Sequence, residues 1–208
     1  MIKSLNVKTI VQALAILQRE LKESNYMALI KHMFFSDRYH LRHYGFLYTS
    51  DTYLALKLGP VPSTTNDIVT FSSFLEEQMS KSDFNYLENS IEVTAKHEIK
   101  IHETNENHLS ESIKEALNFS IKNFYKFDKF KLAEITHDYP EWKVFEEYFR
   151  VSKGKGSQSM DISKFFDNPD LENSPFINDY LKGIDPFADD EDFLAEMKEE
   201  YLLTGSIR

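Results

Sequence analysis

The chain has 208 residues, of which 41 % are hydrophobic, with 17 Phe and 11 Tyr; that apolar surface can offset chain entropy and excludes wholesale disorder. Cysteine is absent, which excludes disulfide staples, thiol nucleophiles and thiolate metal sites. The formal net charge is −10, unevenly spread: residues 1–75 carry eight Lys/Arg against five Asp/Glu, whereas Asp185 to Tyr201 holds eight acids and one Lys. Two readings of that acidic run stand side by side, a solvated helix face and a surface for a basic partner. No apolar run of about 18 residues and no charged-apolar-small leader occurs, so a soluble cytoplasmic protein is expected, with no membrane partner.

In chain order, Val7 to Leu21 repeats apolar residues at helical spacing (Val7, Ile10, Val11, Leu14, Leu17, Leu21), and Asn25 is placed to cap a second helix from Tyr26 to about Tyr44. Thr52 to Leu58 changes period. Leu54, Leu56 and Leu58 alternate with Tyr53, Ala55 and Lys57, which predicts a half-buried strand, and Gly59-Pro60-Val61-Pro62 forbids its regular continuation. Ser63 or Thr64 is placed to cap a third helix, about Thr65 to Gln78. Ile91 to Ala95 and Glu98 to His102 alternate again across Lys96-His97, which predicts a hairpin able to join the earlier strand in one small antiparallel sheet.

Helical spacing returns over Leu109 to Phe124 and Lys129 to His137, and Pro140 can open a further helix through Trp142 to Phe149. Ser152 to Ser159 reads as a flexible linker by composition. Beyond it, Asp161 to Phe166 and Ala188 to Leu203 read as short and medium helices. The expected class is therefore mainly α with a small antiparallel β-sheet (α+β). It divides into a helical domain with its small sheet over 1–150, a linker over 151–160 and an acidic helical C-terminal extension over 161–208.

Chemistry-bearing residues concentrate between Phe35 and Ser63. At 100° per residue, with Leu29 at zero, Met33, Tyr26, Tyr44, Ile30, Leu41, Phe34 and Met27 fall in one apolar arc, and Asp37 falls in its middle at about 80°. A buried carboxylate needs donors, so Asp37 is expected to clasp a neighbouring loop, either Tyr48 to Asp51 or the Gly59 corner. Arg38 points about 100° away and is a poor partner.

The catalytic alternative would combine Asp37, His40 and Asp51 as an acid–base or metal set. Against it, Asp37, His40 and His43 fan over about 120° instead of converging. The sequence also contains no HExxH, GxSxG or Gly-rich phosphate loop, so neither cofactor nor enzymatic activity is expected. Lys31, Arg38 and Arg42 line one flank of the helix as a basic stripe, short of a nucleic-acid footprint.

The segments Met27 to Leu41, Tyr44-Gly45, Thr49 to Tyr53 and Gly59 to Ser63, with the closing Leu132 to Lys143, resemble the signature of the Panacea domain, the SocA-like antitoxin family that includes phage-associated GepA-like proteins. Its signature positions here are Asp37, Arg38, His40, Tyr44, Gly45, Asp51, Tyr53, Gly59, Pro60, Pro62 and Trp142. Two turn residues depart from the pattern: Ser50 stands where a glycine is usual and Leu47 where a proline is usual. The resemblance covers about Met27 to Phe149. It implies an antitoxin of a bacterial or phage toxin–antitoxin module that neutralises a cognate toxin, the expected product of a neighbouring gene, by direct protein–protein binding. The alternatives are a DNA-binding autoregulator of its own operon, with nucleic acid otherwise not expected as a partner, and a hydrolase using Asp37, His40 and Asp51.

Two surfaces are candidates for toxin docking. One is the strand's second face, with Tyr53, Ala55 and Lys57. The other is the stripe Phe193, Leu194, Met197 and Tyr201 on the tail helix, for which packing on its own core is the competing reading.

Overall fold

The computed structural model describes residues 6–170, 172 and 190–204. The fold is built around α2 (Tyr26–Tyr44), in which every residue from Ala28 to Arg42 except Tyr39 is buried. Asn25 starts it by accepting from the Met27 N–H at 3.1 Å, and Gly45 ends it in the left-handed region at φ 78°. Those are the cap and stop the sequence predicts. Since α2 is covered on all sides, the apolar arc read from the sequence is one of two faces it buries. α1 (Val7–Leu21) and α6 (Glu111–Phe124), both expected as helices, pack on it, α6 starting from a Ser110 cap.

The mainly helical α+β class is observed, but with two sheets instead of one. β1 (Tyr53–Leu56) and β2 (Gly59–Pro62) form a hairpin in register Tyr53↔Pro62 to Leu56↔Gly59. The Gly-Pro-Val-Pro corner is therefore itself a strand. Two prolines are tolerated there because β2 is an edge. The faces of β1 are the reverse of the expected ones: Tyr53 and Ala55 are buried, and Leu58 is 40 % exposed at the tip. The Tyr53 hydroxyl has an interior acceptor, described below, which lets the larger aromatic go inside.

β3 (Ile91–Ala95) and β4 (Glu98–Ile101) form a separate pair. They do not join β1, and the end of α1 with the turn after it takes the outer edge of β4. Ile99 N–H donates to Ser24 O at 2.9 Å, and Gln18 bonds both Ile99 O and Ile101 N–H at 2.8 Å.

The third helix is shorter than predicted. α3 (Ser63–Thr70) stops at Phe71, which takes a left-handed φ of 48°, and α4 (Leu75–Gln78) follows as a single turn. α5 (Lys81–Ser90), capped by Ser80, has no counterpart among the predicted elements. α7 (Lys129–His137) starts from an Asp128 cap, and the helix predicted from Pro140 splits into α8 (Pro140–Lys143) and α9 (Glu146–Val151).

Packing continues across the segment 151–160. β5 (Gln158–Ser159) pairs with β1, and Met160 N–H donates to Tyr53 O at 2.9 Å. The 3-10 turn Ile162–Phe166 then places Phe165 and Phe166 in the same buried cluster as Phe34, Tyr53 and Trp142. α10 (Glu191–Thr204) lays Leu194 into the fold and sets Tyr201 5.8 Å from the Phe166 ring. The part of the predicted tail helix before residue 190 lies outside the described residues. No helix among the described residues is long and apolar enough to cross a membrane.

Candidate functional site

Asp37 sits mid-helix on α2 with no exposure. The Tyr48–Asp51 loop supplies the donors that its burial demands: Thr49 N–H reaches Oδ1 at 3.3 Å, the Thr49 hydroxyl donates to Oδ2, and Tyr53 O–H reaches Oδ2 at 2.9 Å. Burial pushes the Asp37 carboxyl up to about 7, while the bonds from Thr49 and Tyr53 pull it back down.

Asp51, two residues after Thr49, does a different job. Its Oδ1 accepts from Thr64 N–H at 2.7 Å, and its Oδ2 accepts from Thr65 N–H at 2.8 Å and the Thr65 hydroxyl at 2.9 Å. Asp51 thus caps α3 from outside the helix, in place of the Ser63 or Thr64 cap expected from the sequence. Burial raises its carboxyl as well, against those same donors.

Thr49 Oγ1 accepts from Asp51 N–H at 3.2 Å, so one loop is pinned to both α2 and α3. Between them, Ser50 adopts φ 55°. This is the position where the family pattern has glycine, and a side chain there costs on the order of 1 kcal/mol. Leu47, where proline is usual, packs into the aromatic cluster.

His40 does not join the two carboxylates. Its Nδ1 lies 2.8 Å from Phe46 O, to which it donates, and its Nε2 lies 3.1 Å from Ser112 Oγ. Burial lowers its pKa, consistent with a neutral ring that uses one nitrogen as donor and the other as acceptor. Asp37, His40 and Asp51 are thus each engaged by different partners.

The basic stripe of α2 is interior. Lys31 Nζ donates to Pro60 O at 2.8 Å, and burial lowers the Lys31 pKa to about 7. Arg38 Nε meets Glu141 Oε1 at 2.8 Å and its Nη2 donates to Asp167 O at 2.7 Å, while the guanidinium lies 4.5 Å from the Tyr139 ring centre. Arg42 donates to Phe166 O at 2.6 Å and Phe165 O at 3.1 Å, and to Asn168 Oδ1 at 2.7 Å. Two arginines of α2 therefore grip the segment 165–168.

The other signature positions complete the same frame. Trp142 Nε1–H donates to Leu56 O at 2.8 Å, and its ring stacks on His137 at 3.7 Å. Gly59 has φ 96°, and a side chain there would collide with Thr136 and Lys31. Tyr44 is 37 % exposed and donates to Glu115 Oε2 at 2.7 Å.

Of the candidate docking residues, Tyr53 is withdrawn by its burial and its bond to Asp37, and Leu194 is buried. Met197 and Tyr201 are half-buried against the aromatic cluster. Phe193 is half-buried, and Lys57 is exposed. The sequence reading missed Thr49, Glu141 and Asn168. The available signal was valence: buried Arg38 and Arg42 each require acceptors, and the Pro-Glu-Trp of the closing segment contains one.

This arrangement defines a class of scaffold in which a largely buried helix is clasped by a β-hairpin on one side and by a C-terminal segment on the other. The family described as antitoxin SocA-like, Panacea domain, matches residues 29–143; this is more than half of the chain, and the chain belongs to that family. Its role is accordingly of the antitoxin type. No curated protein and no solved structure matches it.

Proposed function

We propose that the protein neutralises a cognate toxin by direct protein–protein contact in the cytoplasm, that the toxin is the product of a neighbouring gene, and that the protein performs no catalysis of its own. The observation that carries this reading is the use to which the signature is put. Asp37, Arg38, His40, Asp51, Tyr53 and Trp142 are all buried and spend their polar atoms on other parts of the same chain. A signature spent on holding a scaffold suits a domain that presents a surface, because function then resides in what the scaffold displays. Burial of Lys31, Arg38 and Arg42 likewise withdraws the stripe on which a DNA-binding reading would rest.

Growth rescue tests the proposal. Each neighbouring reading frame is expressed alone and then with this chain; one is expected to arrest growth, to be relieved by co-expression, and to co-purify with the chain. Rescue without co-purification would point to an indirect mechanism and overturn the proposal. So would loss of rescue in an Asp37→Asn variant that folds and still binds the toxin.

A further inference from the structure

Three of the apolar side chains that the fold leaves in water lie on α8 and α9 and the joint between them. Val144, Tyr148 and Val151 are 53 %, 38 % and 68 % exposed and follow one another at i, i+4 and i+7. Val144 is helical at φ −59°, ψ −19°, and Phe145 departs only to φ −100°, ψ 0°. The spacing therefore holds across the joint of α8 and α9 and gives one stripe.

The exposed tip of the β1–β2 hairpin, Lys57-Leu58, reaches the same face through the loop after α9. A side chain on Gly154 would run into the Lys57 chain, and one on Gly156 would come 2.6 Å from the Tyr148 hydroxyl. Lys57 therefore lies along Gly154 and Tyr148 along Gly156, two residues apart. Both glycines are in the left-handed region, at φ 75° and 82°, and their lack of a side chain lets the loop approach Lys57 and Tyr148 closely.

The charge around the stripe is opposite in sign to that of the molecule. Lys57, Lys153 and Lys155 are exposed, and none meets a carboxylate within ion-pair distance among the described residues. Glu147 is already paired with Arg150 at 2.5 Å, and Glu146 points about 160° away from Tyr148 around the helix. On a chain of net charge −10, this is a basic rim around an apolar, tyrosine-bearing centre. Interface cores have that composition, and a basic rim attracts an acidic partner that the net negative charge of the rest of the molecule repels. An apolar centre has no counterpart on a nucleic-acid backbone.

We infer that Val144, Tyr148, Val151 and Leu58, ringed by Lys57, Lys153 and Lys155, form the docking face for the toxin, and that the toxin presents there an apolar patch rimmed by carboxylates. The inference rests on the toxin-binding reading above and replaces Tyr53 and the tail stripe as its location.

The test uses the full chain and the neighbouring gene product that arrests growth. Val151→Asp and Val144→Asp each alter an exposed position and are expected to keep the thermal midpoint of the wild type. They should weaken the purified complex by roughly tenfold or more and abolish growth rescue. Lys153→Glu with Lys155→Glu should slow association and flatten its dependence on salt, while Leu203→Asp on α10 should change neither. Toxin affinity within about twofold of wild type for both Asp variants would overturn the inference and leave the toxin-binding reading intact. Val→Asp variants that lose only self-association, or only binding to a duplex DNA probe, would likewise overturn it. If no neighbouring product is toxic, the reading falls and the docking face with it.

Discussion

On one side of α2 the interior is aliphatic; on the other it is aromatic and laced with ions. The aliphatic cluster joins Ile10, Leu14 and Leu17 of α1 to Leu29, Ile30 and Met33 of α2, with Leu87, Ile91 and Ile99 closing it. The aromatic cluster packs Phe34, Phe35, Tyr53, Phe124, Tyr139, Trp142, Phe165 and Phe166, with Phe35 stacked on Phe124 at 3.8 Å. Arg38, Arg42 and Glu141 are buried beside it. Aliphatic burial is non-directional, so the first half is held mainly by how much surface it removes from water. In the second half every buried ion must find a partner at a fixed place, so position matters there as much as area. The stabilising partners of that half also come from far along the chain, Asp167 and Asn168 among them.

The largest effect expected from this contrast is on the tail. Removing residues 160–208 deletes Met160, Phe165 and Phe166 from the aromatic cluster and takes away the carbonyls that Arg38 and Arg42 grip. The truncated chain is expected to lose cooperative unfolding, although it retains the whole of the segment that matches the family. A soluble truncation with a sharp thermal transition would show that the clasps at 165–168 are dispensable.

A smaller but sharper comparison sets one substitution in each half. Glu141→Ala strands Arg38, whose side chain is 6 % exposed, and should cost about 3–5 kcal/mol in denaturant unfolding, part of it recoverable through the remaining Asp167 bond. Leu14→Met roughly conserves volume in the aliphatic half and should cost less than about 1.5 kcal/mol. Equal losses at the two sites would erase the distinction between a half held by area and a half held by placement.

The same contrast explains what could be read from the sequence. α1, α2, α6 and α7 were legible because their apolar spacing, and for α2 the Asn25 cap, are local signals. Asp37 could be recognised as a clasp from its angle alone, and its donor loop was one of the two candidates. The inverted faces of β1 were not legible, because alternation marks two faces without saying which is inner. Tyr53 goes inside through its bond to Asp37, which is a tertiary fact. Nor was the role of Asp51: a carboxylate that caps a helix from 13 residues ahead of its first donor there leaves no local pattern. The partners of Arg38 and Arg42 lie roughly a hundred residues or more away, beyond the reach of any periodicity.

The smallest expected effect concerns protonation of Asp37, the clasp nearest the boundary between the two halves. Its carboxyl is raised from the ordinary 3.8 to about 7, chiefly by burial. Between those values the folded chain holds a proton that the unfolded chain has released, so stability falls as pH rises. The contribution of Asp37 is complete below about pH 4 and gone above about pH 7. His32 and His137, both lowered from 6.5 to about 4 by burial, act in the opposite sense over the same window, because unfolding lets them take up protons. Lys31, lowered from 10.5 to about 7, does the same above neutrality. The wild-type profile alone therefore mixes signs, and the informative quantity is its difference from Asp37→Asn, which fixes a neutral side chain at that site. Urea midpoints from pH 4 to 8 should show the advantage of wild type over the variant shrinking up to about pH 7 and then levelling. Parallel profiles would mean that Asp37 stays ionised when folded, held by Thr49 and Tyr53 as Glu141 is held by Arg38, and the ionic half of the interior would then extend to the hairpin.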